Sequence, residues 1–207
     1  MTQFLIRCFI KDSENIRSPK VRAAYGILGS VTGIVCNLLL CAAKLVIGSL
    51  SGSIAITADA FNNLSDIASS AISLLGFKLG QKPADAKHPF GHGRFEYLSA
   101  LFISLLIMVL AVQVGISSFN KILNPEKLQF SLISLIILLL AVGVKLWLSA
   151  FNKKLGKKID SASMAATAAD SLNDVLSTSA AIISMLAVLV IDFPLDGYLG
   201  LVVACFV

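Results

Sequence analysis

The chain of 207 residues is 57% hydrophobic and 14% charged, with a mean hydropathy of +0.86. Soluble domains carry about a quarter charged residues, so a water-soluble enzyme or binding module is excluded and an integral membrane protein without a substantial soluble domain is indicated. The net charge of +5 argues against a nucleic-acid partner, because the basic residues lie in short segments between apolar stretches and build no basic patch on a folded surface.

Residues 1–22 form an N-terminal arm holding Arg7, Lys11, Arg17, Lys20 and Arg22. Its apolar run, residues 4–6, is too short for a secretory signal. Five stretches long enough to cross a bilayer follow, at 25–47, 53–77, 97–119, 130–151 and 162–191. A sixth begins at Leu195 and is expected to be cut at Val207, since thirteen residues reach only about 20 Å of a ~30 Å hydrocarbon core. The expected fold is an all-α membrane protein, a six-helix transmembrane bundle over residues 23–207 with its sixth helix truncated. Tight connections are predicted at residues 48–52, at Asn124-Pro125 and at Asp192-Phe193-Pro194, and longer loops at 81–94 and 152–160.

Charge in those connections sets the orientation. Thirteen of the 17 basic residues fall in the N-terminal arm, after the second span (Lys78, Lys82, Lys87, Arg94) and after the fourth (Lys153, Lys154, Lys157, Lys158). Only Lys121 and Lys127 lie on the other side, so the N-terminus and the longer loops are expected in the cytoplasm. Lys44 and Lys145 stand inside spans near their ends, where snorkelling is expected. Cys8, Cys36, Cys41 and Cys205 form no C-x-x-C pair and read as apolar packing residues.

Within the apolar helices stand two polar pairs, Asn62 with Asp66 and Asp170 with Asp174. Each is spaced i, i+4 and so projects from one helix face. A mid-membrane carboxylate costs roughly 3 kcal/mol on insertion scales, so unpaired acids are retained only for use. One reading is hydrogen-bonding glue between helices; the other is a cation site. An all-oxygen set suits Mn²⁺, Fe²⁺, Co²⁺ or Mg²⁺, and Zn²⁺ also accepts carboxylates. Such a set is open to metal and proton alike, which is what metal–proton exchange requires. An echo between residues 66–70 and 174–178 aligns the two pairs, either as a structural repeat or as chance similarity of two Ala/Ser-rich helices.

Both histidines of the chain, His88 and His92, lie in the loop after the second span with Asp85 three residues before the first. Pro89, Gly91 and Gly93 break helical continuity there. The loop could fold the three groups around a metal, or leave them solvated. Glu96 reads as structural, a partner for Arg94 or Lys82.

The run Ala58-Asp59-Ala60-Phe61-Asn62-Asn63-Leu64-Ser65-Asp66 and the loop at 82–96, above all Pro83-Ala84-Asp85 and His88-Pro89-Phe90-Gly91-His92-Gly93, resemble the cation diffusion facilitator family of divalent-metal/proton antiporters. The resemblance implies a transporter and not an enzyme, without a prosthetic group, in which Asn62, Asp66, Asp170 and Asp174 bind the transported ion. It further implies a second loop metal site at Asp85, His88 and His92, a homodimer, and a bacterial cell-membrane location. Zinc-type members usually carry His or Asp where Asn62 stands and often His where Asp170 stands, so this set is similar to that of bacterial manganese exporters, with Zn²⁺, Fe²⁺ or Co²⁺ as alternative cargo. Asp59, two turns before Asp66, supports the site or packs helices rather than binding the ion. The basic run Lys153-Lys154-Leu155-Gly156-Lys157-Lys158 replaces a His-rich zinc loop and could face anionic lipid. The family's cytoplasmic C-terminal domain is absent from these residues. The rivals from other classes lack their signatures: a cation channel needs acidic rings or a carbonyl filter, and an intramembrane metalloenzyme needs a motif such as H-E-x-x-H.

Overall fold

The computed structural model describes residues 2–10, 14–16, 18–51, 54–85, 88–124, 132–187 and 195–206. Among these residues the chain is helical without a strand: α1 (Thr2–Phe9), α2 (Pro19–Ser51), α3 (Ile54–Gly80), α4 (Arg94–Leu123), α5 (Leu132–Ile159), α6 (Ala162–Ala187) and α7 (Leu195–Phe206). Six helices follow the short arm helix, in the order expected. Three of them, α2, α4 and α5, are long and apolar enough to cross a membrane, with mean hydropathies of 2.0, 2.5 and 2.4. The helices α3 and α6 have the length but carry Asp59, Asn62, Asn63 and Asp66, and Asp170, Asn173 and Asp174, which lower their apolarity. The chain is an all-α multi-pass membrane protein.

Two expected connections are partly helix among the described residues. The turn placed at residues 48–52 begins too early, because α2 runs through Gly48 to Ser51. Glycine weakens a helix by only about 1 kcal/mol, less than exposing unpaired backbone groups to lipid. The loop placed at 152–160 shrinks to Asp160 and Ser161, since α5 continues to Ile159. Phe151, Leu155 and Ile159 form a buried i, i+4 stripe there, and Lys157 and Lys158 favour the negative end of the helix. Asp160 takes a left-handed φ of 49°, and the Ser161 N–H donates to the Gly156 carbonyl at 3.0 Å, closing α5 in a Schellman turn. Ser161 then caps α6, its Oγ accepting from the Met164 N–H at 3.3 Å. The breaks at Pro125 and at residues 192–194 lie outside the described residues.

The chain divides into two compact units, Met1–Ser104 with Trp147–Ala169, and Leu105–Leu146 with Asp170–Val207. In the first, Ile6 and Ile10 of the arm, Tyr25, Phe77, Phe151 and Met164 share one apolar core. The Phe77 ring fills the space where Gly26 lacks a side chain. Ser73 and Ser163 share a hydrogen bond at 2.9 Å and Ser99 lies 3.2 Å from Ser163, joining α3, α4 and α6 through hydroxyls. Arg22 donates to Glu96 and to the Asp160 carbonyl, both at 3.1 Å; among the described residues Glu96 thus has Arg22 as its ion-pair partner in place of the expected Arg94 or Lys82. In the second unit, Gly197 brings α7 against the Ser118 carbonyl of α4, and Gly115 approaches Ala204. On α4, Leu101, Phe102, Met108, Val109 and Val112 are each more than half exposed. Hydrocarbon is the solvent such a surface fits.

Candidate metal sites

Asp59, Asn62, Asp66 and Ser70 recur every three to four residues along α3 and so share one stripe of it. Asp66 is 3% exposed and Asn62 half-buried. Facing this stripe, α2 packs closely: a Cβ on Gly33 would stand 2.7 Å from the Ser70 hydroxyl. Eleven residues further along α2, the Lys44 ammonium lies 2.8 Å from Asp59 Oδ2, as an ion pair rather than a well-directed hydrogen bond. The Lys44 side chain is 3% exposed. Its charge is balanced sideways by a neighbouring helix, which places Asp59 as a counter-ion.

In the second unit, Asp170 is buried and Asp174 is held by Lys145, whose Nζ donates to Oδ2 at 2.6 Å. The lysine side chain is 5% exposed and the aspartate 15%. Here, as at Lys44, the ammonium pairs with a carboxylate on another helix. Asp174 is thus a negative group already shared with a tethered ammonium.

The loop between α3 and α4 brings Asp85, His88 and His92 together, with one donor atom from each within 4.8 Å of the others. The Asp85 carboxylate accepts from the His88 N–H at 2.6 Å and lies 3.0 Å from His88 Nδ1. His92 Nδ1 stands 3.1 Å from the Pro83 carbonyl. A carbonyl only accepts, so Nδ1 carries a proton, and Nε2, 3.6 Å from Asp85 Oδ2, is the ring nitrogen left to a metal. That arrangement fixes a metal-binding imidazole. Gly91, with a φ of 77°, supplies the reversal that returns His92 to Asp85, and Phe95 stacks on the His92 ring. A carboxylate with two imidazoles matches the ligand preferences of Zn²⁺ and its neighbours.

Long apolar helices, two of which carry buried carboxylates, define a polytopic α-helical membrane protein. Residues 30–207 match the family model described as the cation efflux transmembrane domain, and the chain belongs to that family, one of transporters rather than enzymes. Its relatives include the manganese efflux system protein MneS of Bacillus subtilis, 35% identical over 162 residues, covering 78% of this chain and 56% of the relative. An uncharacterized transporter of Methanocaldococcus jannaschii is 30% identical over 174 residues, covering 84% and 62%. The manganese efflux system protein MneP of Bacillus subtilis is 29% identical over 164 residues, covering 78% and 54%. The matched part thus spans a little over half the length of these three relatives.

Sequence reasoning missed the lysines as partners of Asp59 and Asp174. A lysine inside an apolar span was the available signal, and its nearness to the span end concealed it. It also missed Asn37, 2% exposed on α2.

Proposed function

We propose that the protein exports a divalent metal cation from the cytoplasm, Mn²⁺ in preference, in exchange for protons, and works as a homodimer. Asn62, Asp66, Asp170 and Asp174 are the oxygen donors to the transported ion, and Asp85, His88 and His92 hold a second ion at the cytoplasmic surface. The observation that carries this reading is the burial of Asp66 and Asp170, 3% and 7% exposed, on helices of a membrane protein. Lipid penalises such groups unless a cation or a proton accompanies them. An amide and three carboxylates, without imidazole or thiolate, favour a hard ion of higher coordination number over tetrahedral Zn²⁺. The two manganese efflux relatives support the same preference.

Everted vesicles test the reading. Mn²⁺ uptake driven by a proton gradient is expected, with loss of uptake in Asp66→Ala. Flux at channel rates without the gradient would reject exchange. In equilibrium dialysis of the full chain, Asp66→Ala and His92→Ala are each expected to lose one bound ion, and only the first to abolish transport.

A further inference from the structure

The helices α2 and α3 run antiparallel with a register fixed at two points, Gly33 against Ser70 and Lys44 against Asp59. Gly33 and Lys44 are eleven residues apart, as are Asp59 and Ser70, so the pairing is constant between them. Four residues on from Gly33 stands Asn37; four residues back from Ser70 stands Asp66. The two are therefore level. They also share the facing stripes, because steps of four and seven residues return to nearly the same helix face. The missing side chain at Gly33 draws the helices close, which a short amide needs in order to reach across.

Asn37 is 2% exposed, and its Oδ1 has no hydrogen-bond partner among the described residues. A buried carbonyl left without a donor costs about 1–3 kcal/mol and calls for a specific occupant. An ionised Asp66 carboxylate is acceptor-only, as is the amide oxygen. Two acceptor groups at one level of a helix pair, both shielded from water, fit a cation between them.

We propose that Asn37 is a further ligand of the transported ion, adding an amide oxygen from α2 beside Asp66. The inference rests on the transport reading above and deepens it. A fifth protein oxygen moves the set further from tetrahedral coordination and towards the six-coordinate oxygen environment that Mn²⁺ accepts and Zn²⁺ does not need. Asn37 is then a specificity-determining residue as well as a ligand.

The test replaces the amide with a ligand that reports direct contact. Asn37→Cys in the full chain, purified in detergent and loaded with Cd²⁺, is expected to show a thiolate-to-cadmium charge-transfer band in the ultraviolet. The unsubstituted chain supplies the baseline for its other cysteines, and the band is expected to vanish in Asn37→Cys with Asp66→Ala. Asn37→Leu is expected to weaken Mn²⁺ binding by roughly tenfold or more, within the range for removing a supporting or direct ligand, while Zn²⁺ binding changes by less. No band, or a band that survives Asp66→Ala, overturns the proposal, as does equal loss of both metals in Asn37→Leu. If Asn37→Leu does not fold, the cysteine band alone decides. Failure of the transport reading is separate: Mn²⁺ binding and transport would then survive Asp66→Ala in the otherwise unsubstituted chain.

Discussion

Lys145 and Asp174 meet at 2.6 Å with little access to water, so a divalent ion bound by Asp174, as proposed, would compete with the lysine for the same oxygen. Removing one partner of a buried pair costs of the order of 3 kcal/mol, because the other charge is left uncompensated. Lys145→Met is therefore expected to lower the melting temperature of the metal-free protein. Saturating Mn²⁺ should then raise it by more than in the unsubstituted chain, since the ion replaces the missing charge. Equal metal-induced shifts in the two proteins would mean that Asp174 does not meet the ion. Asn62 is read by its chemistry: Asn62→His adds an imidazole to an oxygen set, which should shift transport from Mn²⁺ towards Zn²⁺. Unchanged handling of both metals would remove the amide from the selectivity argument.

At the scale of elements, the two-residue joint between α5 and α6 depends on one hydroxyl and one left-handed residue. Ser161→Ala removes the cap to Met164 and is expected to cost about 1 kcal/mol, seen as a lower melting temperature in detergent without loss of metal binding. The same joint explains an error of reading. Residues 152–158 look like a loop by charge, yet lysines are good helix formers and the stripe Phe151, Leu155, Ile159 has helical spacing. Composition outweighed periodicity in the expectation, and the structure reverses that order. The α2 extension to Ser51 has the same lesson, because Gly48 was given the weight it has in water rather than in lipid.

For the molecule as a whole, the helix order, the membrane class and the gathering of Asp85, His88 and His92 were legible because each rests on local pattern: apolar run length, or spacing across a Gly/Pro loop. The partners of Asp59 and Asp174 were not. Lys44 and Asp59 are on different helices, as are Lys145 and Asp174, and no periodicity within one helix encodes which neighbour it meets. Asn37 was hidden for a related reason. An isolated asparagine in an apolar helix acquires meaning only when a second helix supplies the register.

The ammonium of Lys145 has an electrical consequence. Counted with the Asp66, Asp170 and Asp174 of the proposed transport set, it would leave that set, when empty, at a formal charge of −2, which one divalent ion would cancel. A neutral loaded set moves without work against the membrane potential, whereas the unloaded set carries charge worth about 2.3 kcal/mol per unit for each 100 mV fully crossed. Exchange of isotopic Mn²⁺ for Mn²⁺, which uses only loaded transitions, should therefore be indifferent to an imposed voltage in proteoliposomes. Net movement, which requires the unloaded return, should respond to that voltage unless protons ride back in the ion's place. A voltage-sensitive isotope exchange would show that the lysine does not belong to the charge that moves.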